Sequence, residues 1–158
     1  MNFDTECVIR ISAALLTPLI AIVASYIAYQ QLKANSEKVK LDKFDRRFRI
    51  YEELEKILII IRGGEGATYD QLTEFRRSVA QADFLFGPEI GEYLKEIYDR
   101  GINLRYWTEQ YRDQYQEKPE GYDHSKVVES KHIEIIWLTE QLEKTAKAKF
   151  KKYLDLSR

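Results

Sequence analysis

The sequence predicts an all-α protein in which one N-terminal transmembrane helix continues into a cytoplasmic antiparallel helical bundle. Nineteen residues from Ile11 to Tyr29 carry no charge. As a helix this run is roughly 28 Å long, which matches a hydrocarbon core of about 30 Å. Proline and glycine are scarce, which favours helices over many short strands. Downstream, apolar residues recur at spacings of three and four, as on one face of a helix.

The first predicted helix contains the span and does not stop at the end of it. No glycine or proline occurs between Pro18 and Gly63, and the Gly63–Gly66 stretch should end the helix. Beyond the span, its inward stripe is predicted to be Leu41, Phe44, Phe48, Tyr51, Leu54, Leu58 and Ile61.

The second helix should begin at Thr68, because Thr68-x-x-Gln71 is a capping-box pattern. Gly87 should end it, and Pro88 suits the first turn of the next helix. Its predicted stripe is Leu72, Phe75, Val79, Ala82 and Phe86.

The third helix carries Gly101 on its inward face, where a glycine permits close packing. Its stripe is Ile90, Leu94, Ile97, Leu104, Trp107 and Tyr111. A polar loop at Gln116–His124 precedes the last helix, predicted from about Lys126 to Asp155 and capped by Asp123 or Ser125. Its inward residues should be Val128, Ile135, Leu138, Leu142, Ala146, Phe150 and Tyr153.

The flanking charges predict a retained anchor with a fixed orientation. Asp4 and Glu6 oppose Arg10, which is the wrong charge balance for a cleaved signal peptide. Many more basic residues follow the span than precede it, so the positive-inside rule places the following side in the cytoplasm. Residues 1–10 should then lie outside, residues 11–32 span, and residues 33–158 form the cytoplasmic bundle. A buried core helix is a weaker alternative for the run, since it lacks a polar face.

Composition limits the function classes. The 158 residues carry a net charge of −1, so general attraction to nucleic acid is not expected. Cys7 is the single cysteine, which excludes an internal disulfide.

No motif predicts catalysis, a cofactor or a metal. The adjacent residues Asp123, His124 and Ser125 point in different directions, whereas working triads are assembled across a fold. Glu129-x-x-His132 has the spacing used in di-iron bundles, which need a second such motif and two more carboxylates. Gly63–Gly66 is interpreted as a turn. The aromatic residues Trp107, Tyr111 and Tyr115 are interpreted as core rather than as a ligand-stacking face.

Two groups of residues predict contacts. Small residues at every fourth position of the span, which allow close helix–helix approach in lipid, predict a homo-oligomer through Ala13, Thr17, Ala21 and Ser25. Basic residues near the span exit and on the returning last helix predict contact with an anionic leaflet. These are Lys33, Lys38, Lys40, Lys43, Lys144, Lys147, Lys151 and Lys152. The alternative is a solvated basic face with local ion pairs, in which Glu89 and Glu92 neutralise Arg46–Arg49.

Two stretches also carry a resemblance, namely KLDKFDRRFRIYE from Lys40 and FLFGPEI from Phe84. Together with the YIAYQQ end of the span, they resemble a group of uncharacterised bacterial single-pass membrane proteins over about residues 24–104. The resemblance implies a bacterial inner-membrane setting and brings no activity and no site residues.

Three functions remain open from the sequence. The first is a membrane-tethered helical interaction or scaffold protein that holds a protein partner near the bilayer. The second is an oligomerising membrane effector of a stress or phage-defence system. The third is a membrane-bound enzyme whose site the sequence does not reveal.

Overall fold

The computed structural model describes the backbone of residues 3–64 and 66–155, and side chains from residue 16 onward except residues 17 and 65 within that range. In this part of the chain every regular element is a helix, which confirms the all-α prediction. The elements are α1 (Phe3–Arg62), α2 (Tyr69–Ser78), α3 (Ala82–Leu85), α4 (Pro88–Gln110), α5 (His124–Glu140), a π-helix (Gln141–Thr145) and α6 (Ala146–Lys151).

The chain divides into two units. The N-terminal unit extends to Asp42, and the C-terminal unit begins at Lys43. The hydrophobic core lies in the C-terminal unit, where the second half of α1 packs with the later helices.

The transmembrane part of the fold prediction is not supported. Among the described residues, no helix is both long enough and apolar enough to cross a membrane. The side chains of Thr17 and of residues 11–15, which belong to the predicted span, lie outside the described ones.

The end of α1 and the start of α2 follow the predicted signals. Gly64 and Gly66 have φ angles of 104° and 75°, in the left-handed region that suits glycine. The capping box is complete, because the Thr68 hydroxyl accepts from the Gln71 N–H at 3.2 Å and the Gln71 side chain accepts from the Thr68 N–H at 2.9 Å.

The predicted second helix is two shorter helices, so that prediction was wrong. α2 ends at Ser78, and the chain tightens there: the Ala80 N–H donates to the Arg77 carbonyl and the Ala82 N–H to the Val79 carbonyl. These hydrogen bonds join residues three apart in sequence, as in a 3₁₀ turn, and replace the bonds between residues four apart that an α-helix makes. The tighter turn keeps Val79 and Ala82 both buried.

Helix α4 starts as predicted, with Gly87 as its N-cap and Pro88 in its first turn. Gly101 is buried, and a Cβ added there would lie 2.6 Å from Leu72 Cδ2. The prediction that this glycine permits close packing is therefore confirmed.

The last predicted helix is interrupted and ends earlier than expected. The π-helix separates α5 from α6, and the Ala146 N–H donates to the Gln141 carbonyl five residues back. α6 ends at Lys151 rather than at Asp155. Val127 is buried in place of the predicted Val128, because it lies eleven residues, three helical turns, before buried Leu138.

Three residues at the start of the first predicted stripe are not in the core. Burial on α1 begins at Ile50, whereas Leu41 and Phe48 are exposed and Phe44 is half-buried. The rings of Phe44 and Phe48 stack on each other at 5.9 Å. The stripe was correct from Tyr51 onward, since Tyr51 packs against the core and the later stripe residues are buried in it.

Candidate functional site

The N-terminal unit presents an apolar surface whose described side chains are exposed. Large apolar side chains between Leu16 and Leu32 are all about half or more exposed: Leu16, Leu19, Ile20, Ile22, Val23, Tyr26, Ile27, Tyr29 and Leu32. At 100° per residue these positions go most of the way round the helix, and Ala21, Ala24 and Ala28 occupy the remaining side. A helix that is apolar all round is expected to be covered, by protein or by lipid.

The small residues predicted as an oligomer contact are only partly described. Ala21 and Ser25 are exposed, while the side chains of Ala13 and Thr17 lie outside the described residues. The Ser25 hydroxyl donates to the Ala21 carbonyl at 2.8 Å, so its hydrogen bond is satisfied within the helix. A helix that packed on this surface would therefore not need to accept a hydrogen bond from Ser25.

In the C-terminal unit, the chain end packs against α1. The rings of Tyr51 and Phe150 lie 5.5 Å apart. Arg47 donates from Nε to the Leu85 carbonyl at 2.9 Å and from a terminal nitrogen to the Tyr153 carbonyl at 3.1 Å. Its guanidinium also lies 5.4 Å from the centre of the Tyr153 ring.

This packing gathers basic side chains at one end of the C-terminal unit. Lys43 and Arg49 lie on the turns of α1 next to Arg47, and Lys147 and Lys151 lie on the turns of α6 next to Phe150. All four are exposed. The sequence predicted that the last helix returns toward the start of the bundle, and within this unit it does.

The eight predicted membrane-contact lysines are all exposed, but they differ in their partners. Lys33, Lys38 and Lys40 belong to the N-terminal unit, and the other five belong to the C-terminal unit. Lys144 pairs with Glu140 at 3.5 Å and Lys152 pairs with Glu89. Lys147 and Lys151 make no ion pair within the described chain.

Glu89 joins the start of α4 to the chain end. The Tyr153 hydroxyl donates to its carboxylate at 2.6 Å and accepts from the Gly87 N–H at 3.1 Å. The hydrogen bonds from Lys152 and Tyr153 lower the pKa of Glu89 to about 2. The sequence offered Glu89 as a neutraliser of Arg46–Arg49, whereas the structure pairs it with Lys152.

The residues weighed for catalysis have structural contacts. The Asp123 carboxylate accepts from the Lys126 N–H at 3.1 Å and caps α5, as one of the two predicted caps. The His124 ring lies 5.6 Å from that of Tyr111 and close to Tyr122. Glu129 and His132 are both exposed. Among the described residues, no group of three or more His, Cys, Asp and Glu residues is placed to hold a metal ion.

The predicted aromatic core face was only partly correct. Trp107 is half-buried and packs edge-on against Tyr106 at 5.0 Å, but Tyr111 and Tyr115 are exposed. The reason is that α4 ends at Gln110, so Tyr111 and Tyr115 do not continue the helical face that contains Trp107.

Sequence reasoning missed a groove between α4 and the helices that follow the loop. It has a volume of about 450 Å³ and is lined by acidic residues of α4 together with Tyr93, Trp137, Gln141 and Lys149. Burial and the nearby Glu96 raise the pKa of Tyr93, whose hydroxyl has no hydrogen-bond partner among the described residues. No sequence signal marks the π-helix that lines this groove, although such insertions recur at functional sites.

No family model matches this chain, and no curated protein or solved structure shows significant similarity to it.

Proposed function

We propose that this protein is a membrane-tethered helical interaction protein, held at the bacterial inner membrane by the first half of α1. The C-terminal unit lies in the cytoplasm and holds a protein partner near the bilayer. The observation that carries the proposal is the uncharged run Ile11–Tyr29, set in an unbroken helix whose described apolar side chains are exposed.

The free energy of transfer out of water favours covering this run, as insertion into lipid does. Burying one Leu, Ile or Val side chain stabilises it by about 1.5–3 kcal/mol relative to water. Nine large side chains between Leu16 and Leu32 are exposed, so the accumulated gain is large. The backbone of the run is helical, so its N–H and C=O groups pair within the helix as a bilayer requires, except that Pro18 has no N–H to donate to the carbonyl four residues earlier.

Membrane retention of an arginine variant tests the tether. Ile20→Arg with Val23→Arg places two charges in the run, each costing about 2.5–3.5 kcal/mol at the centre of a span. Ile133→Arg with Ile136→Arg is the matched control, since these α5 residues are similarly exposed but lie outside the run. Wild type and control should stay with membranes through alkaline extraction, while the Ile20/Val23 variant should be released. Equal retention of all three proteins rules out a lipid tether at this run.

The basic end of the C-terminal unit supports a contact with anionic lipid. Lys147 and Lys151 lie one helical turn apart on α6 and make no ion pair within the described residues. We assign the leading role to this pair, since Lys144 and Lys152 already have carboxylate partners. The remaining predicted contacts on α1, namely Lys33, Lys38, Lys40 and Lys43, are exposed and are proposed to bind lipid as well.

Vesicle binding by a fragment beginning at Asn35 tests this contact, after circular dichroism has verified its helical fold. The fragment should sediment with anionic vesicles and hardly with neutral ones. Each basic residue near the surface contributes about 1 kcal/mol, so Lys147→Gln with Lys151→Gln should weaken binding about thirtyfold. The control, Lys144→Gln with Lys152→Gln, removes the same charge and should weaken binding less. Equal sedimentation with both lipid types would show that this unit does not recognise anionic lipid.

The second candidate is an oligomerising membrane effector, favoured by the exposed small residues Ala21 and Ser25, which continue the four-residue spacing of Ala13 and Thr17 in the sequence. Induced expression should then depolarise cells, and Ala21→Leu with Ser25→Leu should abolish the effect. A tether without effector activity leaves the membrane potential unchanged.

A further inference from the structure

Two rows of side chains form the walls of the groove between α4 and the helices that follow the loop, which we call the α4 groove. One wall lies on the first turns of α4 and consists of Glu89, Glu92, Tyr93 and Glu96. The other wall takes every fourth residue from the end of α5 to α6, namely Trp137, Gln141, Thr145 and Lys149. Its volume of about 450 Å³ lies within the range of about 300–1,000 Å³ that small-molecule sites occupy.

The π-helix keeps the second wall on one face. In a regular α-helix each fourth residue lies about 40° further round the axis, so Lys149 would be turned about 120° away from Trp137. The bond from the Ala146 N–H to the Gln141 carbonyl, five residues back, widens one turn and offsets part of this rotation. The insertion therefore helps to direct Lys149 toward α4, where its Nζ lies 4.9 Å from the centre of the Tyr93 ring.

Ion pairs within the chain neutralise two of the three carboxylates in the α4 groove. These pairs are Glu89 with Lys152 and Glu96 with Arg100. Glu92 on one wall and Lys149 on the other are exposed and make no ion pair within the described part of the chain. The groove therefore offers an occupant one unpaired negative charge and one unpaired positive charge.

The α4 groove also contains a polar group that the fold leaves unsatisfied. Tyr93 is only 4% exposed, and its hydroxyl has no hydrogen-bond partner among the described residues. Burial and then the charge of Glu96 raise the pKa of Tyr93, so the hydroxyl lies near a carboxylate that lines the same groove. Buried polar groups in folded proteins nearly always have a partner, and a bound molecule would supply one here.

We propose that the α4 groove binds a small zwitterion, a molecule that carries one ammonium and one carboxylate group as a free amino acid does. The ammonium group pairs with Glu92, the carboxylate pairs with Lys149, and the Tyr93 hydroxyl forms a hydrogen bond with the bound molecule. A simple cation would leave Lys149 unpaired, and a simple anion would leave Glu92 unpaired, so a ligand with both charges matches the groove. All of these residues belong to the C-terminal unit, so the site does not depend on the membrane tether.

The fluorescence of Trp137 tests the proposal, because this residue lines the groove. Trp107→Phe removes the only other tryptophan, and the full chain in detergent is titrated with each free L-amino acid in turn. At least one should change the Trp137 emission saturably in the millimolar range or below. Its amide lacks the carboxylate and its N-acetyl form lacks the ammonium group, so each should bind about tenfold more weakly. No saturable change with any amino acid, or equal binding of either analogue, would overturn the proposal.

Substitutions in the same assay assign the contacts. Glu92→Gln and Lys149→Gln should each weaken binding about tenfold. The matched controls are Glu143→Gln and Lys147→Gln, exposed residues outside the groove lining, which should bind as before. Tyr93→Phe removes only the hydroxyl and should weaken binding roughly threefold to tenfold without lowering the thermal midpoint, since no described residue bonds this hydroxyl. Unchanged binding in Tyr93→Phe, or equal losses in the controls, contradicts the proposal.

Discussion

The two halves of α1 carry similar apolar side chains but differ in how far these are exposed. Leu19, in the N-terminal unit, is 61% exposed, whereas Leu54 is fully buried in the C-terminal unit. The side-chain hydrogen bonds are local in one half and long-range in the other. Ser25 donates to a carbonyl within its own helix, whereas Arg47 donates to carbonyls 38 and 106 residues away in sequence. The same residue types therefore form core in the C-terminal unit, where other helices pack on α1, and an exposed surface in the N-terminal unit.

The largest test of this comparison is a matched pair of leucine truncations on α1. Leu54→Ala should lower the free energy of unfolding by about 2–5 kcal/mol, through lost apolar contact and the cavity left behind. Leu19→Ala removes the same atoms from an exposed position and should change it by less than about 0.5 kcal/mol. Urea unfolding of the full chain in detergent, followed by circular dichroism, measures both. Equal losses would mean that the two halves share one core.

A smaller effect is expected from the arginine that ties α1 to the chain end. Arg47→Met keeps most of the apolar stem but removes both hydrogen bonds to carbonyls, and should cost about 1.5–3 kcal/mol of unfolding free energy. Arg49→Met is the control two residues away, because Arg49 is exposed and makes no hydrogen bond in the described chain. The same urea titration compares them. If Arg49→Met lowers the free energy of unfolding as much as Arg47→Met does, the loss of stability comes from the change in net charge rather than from these hydrogen bonds.

The smallest expected effect is the acid sensitivity contributed by Glu89. Its pKa is lowered from 4.5 to about 2 in the folded protein, so its stabilising contribution is present above pH 4.5 and is lost as the pH falls toward 2. Glu89→Gln should therefore flatten the fall of the thermal midpoint across this window. Glu92→Gln is the control, since Glu92 is an exposed carboxylate with no partner in the described chain. Parallel pH profiles for wild type and Glu89→Gln would show that the Lys152 and Tyr153 bonds do not form in solution.

Local signals in the sequence predicted much of the fold. The glycines after Arg62, the Thr68 capping box and Pro88 each act within a few residues, so their effects can be inferred without knowing the packing. The break after Ser78 and the π-helix at Gln141–Thr145 were not predicted, because both depend on how distant helices meet. Phe48 was assigned to the core on its spacing alone, and spacing cannot show where a covering helix ends.

The candidate surfaces show the same division. The uncharged run and the basic residues are evident in the sequence, because residue type alone defines them. The pairing of Lys152 with Glu89, and the groove that Tyr93 and Trp137 line, join residues that are far apart in sequence or belong to different helices. Only the folded chain distinguishes the paired lysines from Lys147 and Lys151.

The most direct test of the central claim, that the first half of α1 crosses the membrane with its N-terminus outside, uses the single thiol Cys7. A membrane-impermeant maleimide is applied to intact spheroplasts and, in parallel, to lysed ones, and labelling of the full chain is compared with that of a Cys7→Ser control. If the helix spans the membrane in this orientation, Cys7 is labelled fully in intact spheroplasts, with no increase after lysis. Labelling that occurs only after lysis would contradict it.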